Sequence, residues 1–255
     1  GVQTCALPIS DSTLRAASVS QVAGSGLTRF TGAANTNASV GVSITGTNLV
    51  GSGGSAAKAN GGVTVNLSGS SPNGVATFAN DADINADGSV SITAATRLTT
   101  GGDIFTTNDS ITITAVTVLS ADVRMDAGTT GANVAFSSTI DGTTANAQAL
   151  TLNGGTSGTV TVAGAVGKTT SLRSLVLVNS NGATFGTAET DSVIAGTSFR
   201  IQNSQSGSTV TFNGPVVTPQ FNADNGPYSL TFNGTGTDIG DNSGPDPTKA
   251  TILNT

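Results

Sequence analysis

The sequence contains no histidine and no tryptophan, and it has a single cysteine, Cys5, among 255 residues. Without histidine, the Ser-His-Asp triad of nucleophilic hydrolases cannot be assembled. Zinc sites in their usual forms draw on several Cys and His ligands, which this chain does not supply. These absences exclude the commonest nucleophilic enzymes and zinc modules.

Charge is also scarce, since Asp, Glu, Lys and Arg together make up 9% of the chain, against about 25% in ordinary soluble domains. The net charge is −6, and the nine Lys and Arg residues are scattered. Nucleic-acid binding requires clustered cations that neutralise phosphates, so the sequence predicts no nucleic-acid partner. No apolar run approaches the ~18 residues that a membrane-spanning helix requires.

What is abundant is Thr, Val, Ser, Asn and Gly. Thr and Val favour strands, Gly and Asn favour tight turns, and the residues that build helices are few. Hydrophobic residues make up 36% of the chain and are regularly spaced, which argues against intrinsic disorder. The composition therefore predicts an all-β protein.

The first part of the chain is less regular. Residues 1–9, GVQTCALPI, resemble the translation of a sequencing adapter, so we interpret Cys5 as an assembly artefact and the chain as an internal piece of a longer protein. Residues 10–62 are predicted to form an irregular, Gly/Ser-rich β region.

From Val63 onward, short segments with alternating apolar and polar residues recur between Gly, Asn and Asp turns, a pattern that predicts strands. Many of them begin 20 to 25 residues apart, as Val90, Ile111 and Val134 do. The predicted strands are residues 63–67, 75–78, 90–93, 111–114, 123–125, 134–136, 150–152, 160–162, 175–178, 199–201, 210–212 and 230–232.

A pattern of Thr, an apolar residue, a small residue and Gly repeats at residues 151–154, 161–164, 211–214 and 231–234. Periods of this length are typical of solenoids, in which each coil buries its apolar residues against the coils above and below. We therefore predict that residues 63–234 form a parallel β-helix, or β-solenoid, of about eight coils. The alternative is a set of tandem β-sandwiches, in which the Asn-Gly pairs would be hairpin turns.

The last part of the chain contains Pro245 and Pro247. Residues 235–248 are predicted to form a protruding loop, and residues 249–255 to be the next strand, cut off. No cap is recognisable at either end of the predicted solenoid, and unpaired strand edges associate readily. We therefore expect the fragment to self-associate end to end.

Residues 82–93, 121–128, 134–142 and 150–164 resemble the β-helical repeats of filamentous-haemagglutinin-like exoproteins, large repetitive adhesins of bacterial surfaces. The resemblance extends roughly over residues 75–234. It implies a right-handed parallel β-helix, export through an outer-membrane partner or an autotransporter route, and display at the cell surface.

The strongest candidate for a metal site is Asp83-Ile84-Asn85-Ala86-Asp87-Gly88, which has the spacing of a calcium loop. Asp83, Asn85 and Asp87 would be its ligands. Such a loop normally closes with a bidentate Glu at its twelfth position, and that position is Ala94. The favoured interpretation is a corner in which these side chains cap backbone amides, so we expect no metal site and no cofactor.

Polysaccharide hydrolysis is the enzymatic alternative, because some β-helices cleave sugars. It requires paired carboxylates at a fixed separation, whereas most Asp residues here stand alone at turns. Phe136, Phe212 and Phe232 alternate with polar or small residues and are predicted to be core. The arginines at 97, 124, 173 and 200 are predicted to lie on the outer faces of coils, where a stripe of them could bind an acidic glycan.

These observations favour a structural or adhesive repeat module of a secreted or surface-displayed bacterial exoprotein, without catalysis. The expected partners are a host or neighbouring cell surface, with glycan as a candidate ligand, and an outer-membrane secretion partner for the parent protein. A polysaccharide-binding or polysaccharide-degrading β-helix protein is the alternative.

Overall fold

The structure, a computed structural model, describes residues 88–240 except residue 225, and before them residues 65, 75–78, 80 and 83–86. For the other strands within residues 14–67 and for residues 250–252 it describes only the backbone. Residues 1–9 lie outside the described residues. The regular structure of the described part is β-strand throughout, and no helix there is long and apolar enough to cross a membrane.

The strands stack into three parallel sheets that form the faces of a solenoid. The first face is a ladder of ten strands. In chain order these are β1 (Leu14–Ala16), β4 (Ala34–Thr36), β7 (Val63–Leu67), β10 (Val90–Ala94), β13 (Ile111–Thr114), β16 (Val134–Phe136), β19 (Val160–Val162), β21 (Ala183–Phe185), β23 (Thr209–Phe212) and β26 (Ser229–Phe232).

The second face follows the first in every coil. Its strands are β2 (Val19–Gln21), β5 (Val42–Ile44), β8 (Val75–Phe78), β11 (Arg97–Thr100), β14 (Thr117–Leu119), β17 (Ile140–Gly142), the start of β22 (Val193–Ile201), β24 (Val216–Thr218) and β27 (Asp238–Ile239). Val166 bridges Ile140 and Val193, which continues the face through a coil that has no strand there.

The third face closes each coil. Its strands are β3 (Leu27–Phe30), β6 (Asn48–Gly51), β9 (Asp83–Ala86), β12 (Ile104–Thr106), β15 (Val123–Asp126), β18 (Ala149–Asn153), β20 (Leu172–Asn179), the end of β22, β25 (Phe221–Ala223) and β28 (Ala250–Ile252). The long strand β22 therefore turns the corner from the second face to the third.

The structure confirms the predicted parallel β-solenoid, with about seven turns against the predicted eight. Val90 pairs with Ile111, and Ile111 pairs with Val134, all in parallel. The spacing of the predicted strands is thus the length of a coil. The alternative of tandem antiparallel sandwiches is wrong, because every strand pair in the described part is parallel.

The ladders also extend beyond the region that the sequence analysis assigned to the solenoid. In the region of residues 10–62, β4, β5 and β6 pair with β7, β8 and β9 of the next coil. At the other end, β27 lies within residues 235–248 and pairs with β24. All three faces therefore begin before residue 63, and the second and third continue past residue 234.

The core is a column of apolar side chains along the solenoid axis, because alternate residues of each strand point inward. Toward its C-terminal end it contains a cluster of phenylalanines. Phe212 stacks on Phe185 and on Phe232, with ring centroids 5.3 and 5.0 Å apart, and Phe199 and Phe221 contact it edge-on. Phe136 and Phe212 are buried, as predicted, and Phe232 packs against the same core.

Polar side chains at the corners bond from one coil to the next. Asn153 donates to the carboxylate of Asp126, Asn203 donates to Asn179, and Asn233 donates to Asn213. Near the end of the described part, Tyr228 is buried and donates its hydroxyl to the carbonyl of Asp224 at 2.7 Å. These bonds fix the corners between the three sheets.

Candidate binding surface

The outward residues of the first face form a column of small hydroxyl-bearing side chains. In each strand they lie between two inward apolar residues, as Thr112 does between Ile111 and Ile113. Backbone register places them directly above one another. This hydroxyl column consists of Ser91, Thr112, Thr161, Thr184, Thr211 and Thr231, and Ala135 interrupts it between Thr112 and Thr161.

A second column of small residues follows, two residues later in each coil, in which Ala163 and Gly186 interrupt the polar side chains. Thr93 and Thr114 are register partners within it. The amides of Ser137 and Ala163 continue the ladder by donating to Ile113 and Phe136. Asn213 completes its upper part and accepts a 2.9 Å hydrogen bond from the Asn233 side chain.

From β7 onward the first face is also uncharged, whereas its first strand, β1, contains Arg15. From β7 to β26, none of its strands contains an Asp, Glu, Lys or Arg residue. Its pairings in the described part run without a register shift, whereas the third face has shifts at Leu152/Asn153 and Leu172/Ser174. Threonine is stiff at χ1 because it is β-branched, so its methyl and hydroxyl groups are held in place. The first face is therefore a regular and neutral array.

A shallow groove runs beside this array, at the corner between the first and second faces. Thr93, Thr114 and Ser137 of the second column form one wall. Val116 forms part of the other, and 41% of its surface is exposed. The groove is lined by hydroxyl and methyl groups and by no ionisable side chain.

The third face carries the charge that the first face lacks. In the part of the chain that the structure describes, three ion pairs lie on it or at its corner. They are Arg124 with Asp126 at 2.5 Å, Arg173 with Asp122 at 2.5 Å, and Arg200 with Asp224 at 2.6 Å. Each of these arginines is on the outside, as predicted, and each already has a carboxylate partner. These three arginines therefore do not form a stripe of unpaired cations that could bind an acidic glycan.

Arg97, the fourth arginine of that stripe, lies apart from the other three. It is the first residue of β11 on the second face, and its side chain is exposed. Because Arg97 lies on a different sheet, it does not share an outward column with Arg124 or Arg200.

Two aspartates stack at the corner where the third face begins. The Asp103 amide donates to the Asp83 carboxylate at 2.8 Å, and the Arg124 amide donates to the Asp103 carboxylate at 2.7 Å. Burial raises the pKa of Asp103 above its ordinary value, and the negative charge of Asp83 adds to this. The backbone hydrogen bond from Arg124 and the Arg124 charge act in the opposite direction.

The residues of the candidate calcium loop are only partly described. Asp83 and Asn85 lie on the outside of strand β9, with Ile84 and Ala86 buried between and after them. Asp87 lies outside the described residues. Within the part of the chain that the structure describes, no three His, Cys, Asp or Glu side chains converge on one point. The Asp83 carboxylate instead serves as an acceptor for the next coil.

The hydroxyl column was not identified from the sequence. Its signal is present as Thr or Ser between two inward apolar residues, for example Ile111-Thr112-Ile113 and Val160-Thr161-Val162. The column becomes visible only with the register, because successive coils differ in length. Thr161 pairs with Thr184, 23 residues on, and Thr184 pairs with Thr211, 27 residues on.

No family model matches the chain, and no curated protein or solved structure is significantly similar to it. The fold itself is that of a β-helical repeat protein.

Proposed function

We propose that this chain is a rigid structural and adhesive module of a secreted or surface-displayed bacterial exoprotein. The observation that carries the proposal is the division of the surface. One face presents a regular, neutral hydroxyl array, while the ion pairs are gathered on another. A flat face of this kind suits contact with another extended surface better than it suits enclosure of a small molecule.

The solenoid core supports this function mechanically. Each coil is hydrogen-bonded to the coils above and below it, and inward side chains fill the axis without interruption. About seven turns at ~4.8 Å per strand spacing give a rod of roughly 34 Å. Such a rod holds its first face straight and keeps the contacting residues in fixed positions.

Export and display complete the proposal. The resemblance of residues 82–93 and 150–164 to filamentous-haemagglutinin-like repeats supports an outer-membrane secretion partner and a position at the cell surface. The surface of a host or neighbouring cell, including its glycans, is the proposed counterpart. End-to-end association between solenoids belongs to the same proposal.

The test is whether attachment depends on the first face. Thr161→Lys places a charge in the hydroxyl column, and Thr151→Lys places the same charge on the outside of the third face. Both positions are half-buried, so the two substitutions are matched in burial, while Thr151 alone has an arginine, Arg124, as a register partner. Beads coated with each protein are applied to host cells, bacterial cells, insoluble glycans and ice.

We expect the unsubstituted protein and Thr151→Lys to attach to at least one of these surfaces, and Thr161→Lys to lose attachment. Equal attachment of both variants would assign adhesion to another face. No attachment of the unsubstituted protein to any surface would contradict the adhesive function. Product release from a soluble polysaccharide would favour the enzymatic alternative instead.

A further inference from the structure

We propose that the ligand of the first face is the ordered water of an ice surface. This inference rests on the proposed adhesive function and names its counterpart. The face is a two-dimensional lattice of side chains, with neighbours set by strand spacing in one direction and by every second residue in the other. Those intervals are about 4.8 and 6.7 Å. Hydroxyl groups occupy both columns on β10 and β13, and the hydroxyl column, interrupted at Ala135, extends over roughly 29 Å from β10 to β26.

The chemistry of the array suits ordered water. Each threonine presents a hydroxyl group, which donates and accepts hydrogen bonds, beside a methyl group that binds no water. Thr112 and Thr114 lie two residues apart on the same strand and are both exposed, and Ser91 and Thr93 lie in register with them in the coil before. Stiff, repeated groups of this kind hold neighbouring waters at fixed intervals, which a crystal of water can continue.

The absence of charge on the first face from β7 to β26 also favours contact with ice. An ice surface is neutral, and ions are poorly accommodated in its lattice, so a charged face would have to lose its hydration to contact it. The first-face strands from β7 to β26 contain no ionisable residue. The three ion pairs Arg124–Asp126, Arg173–Asp122 and Arg200–Asp224 lie elsewhere.

A crystalline glycan is the other regular and neutral surface, and the face lacks what a glycan uses. Sugar rings pack on exposed aromatic side chains. On the first face, Phe136, Phe185 and Phe212 all point into the core and are at most 2% exposed. Tyr228 is buried as well. The outward positions of the described first-face strands hold no aromatic residue.

The experiment measures ice affinity directly. The purified chain is mixed with growing polycrystalline ice, and the fraction incorporated is compared with the fraction left in the liquid. Thermal hysteresis and recrystallisation of fine-grained ice are measured in parallel. Three proteins are used: the unsubstituted chain, the first-face variant Thr161→Lys and the third-face variant Thr151→Lys. Circular dichroism melting confirms that each is folded.

We expect the unsubstituted chain and Thr151→Lys to enter the ice and to inhibit recrystallisation, and Thr161→Lys to be excluded from it. If Thr161→Lys fails to fold, Thr112→Lys replaces it in the neighbouring part of the column. Exclusion of the unsubstituted chain from ice would overturn the inference. If that chain still binds cells or chitin and cellulose through the first face, the adhesive function stands and only the ligand is wrong.

Discussion

At the scale of single residues, the phenylalanine stack joins three successive coils within the core. Phe212 lies between Phe185 and Phe232 with nearly parallel rings, and its ring is fully buried. Aromatic pairs in such arrangements contribute beyond the area they bury. A cavity at this position would remove contacts from three successive coils.

Phe212→Ala is therefore expected to lower the free energy of unfolding by about 3–5 kcal/mol. The neighbouring change Thr211→Ala affects an outward side chain on the same strand and should cost about 1 kcal/mol or less. Urea denaturation followed by circular dichroism measures both. Similar losses for the two variants would show that the stack contributes little.

Asp103 gives a second prediction, concerning pH. Burial raises its pKa in the folded state, so ionisation is easier in the unfolded chain. The ionisation of Asp103 therefore lowers the free energy of unfolding as the pH rises from 3.8, the ordinary pKa, through the raised pKa of the folded state. An asparagine at this position carries no charge and keeps an oxygen that can accept the hydrogen bond from the Arg124 amide.

Asp103→Asn is accordingly expected to be more stable than the parent chain at neutral pH and to lose that advantage in acid. Melting temperatures of both proteins, measured from about pH 3 to about pH 7, test this prediction. A difference between the two proteins that does not change with pH would assign the effect to packing.

At the scale of the elements, one corner brings two backbones into close approach. Gly155 has a φ of 67°, and a Cβ there would lie 2.6 Å from the Gly128 carbonyl oxygen and from the Gly131 Cα. Gly207 has a similar φ of 76°, but a Cβ there would meet nothing within 4 Å. The two glycines separate the cost of left-handed backbone from the cost of a steric clash.

Gly207→Ala should cost roughly 1–2 kcal/mol, the penalty of a side chain in left-handed backbone. Gly155→Ala should cost more, because the Gly128 and Gly131 backbones must move as well. Chemical denaturation compares the two variants. Equal losses would mean that the corner relaxes around the added methyl group.

Within residues 63–234 the sequence predicted every first-face strand except β21, because the inward residues of most of these strands are large and apolar. Val90 and Ile92 or Val210 and Phe212 alternate with polar neighbours and stand out. Strand β9 did not stand out, since only Ile84 and Ala86 point inward and the rest of it is acidic or amidic. It was interpreted as a corner with a candidate metal site.

The binding surface was less predictable than the fold. Alternation within one strand shows which residues face outward, but not which outward residues share a column. That depends on the length of every turn, and turns such as residues 186–192 and 203–208 vary in length and conformation. Thr161, Thr184 and Thr211 could be aligned only after the pairing was known.

At the scale of the whole molecule, stability is a chain of local interactions. Strand pairing joins each coil to the coils next to it, and the Arg173–Asp122 ion pair reaches past one coil. Damage at one position should therefore spread to neighbours before distant coils. Phe212→Ala is thus expected to speed amide exchange in Ala183–Phe185 and Ser229–Phe232 while leaving Val90–Ala94 unchanged. Hydrogen exchange resolved by mass spectrometry measures this. A uniform increase would show that the solenoid opens as one unit.

The buried Tyr228 gives the molecule an optical label for a single coil. It is the only tyrosine in a chain without tryptophan. Fluorescence excited at wavelengths longer than those that phenylalanine absorbs therefore comes from this one side chain. Burial, and then the Asp224 charge, raise the pKa of its phenol. In an alkaline titration, phenolate absorbance will therefore appear above the ordinary pH of about 10 while this coil is folded. It will appear at about pH 10 once the coil has unfolded.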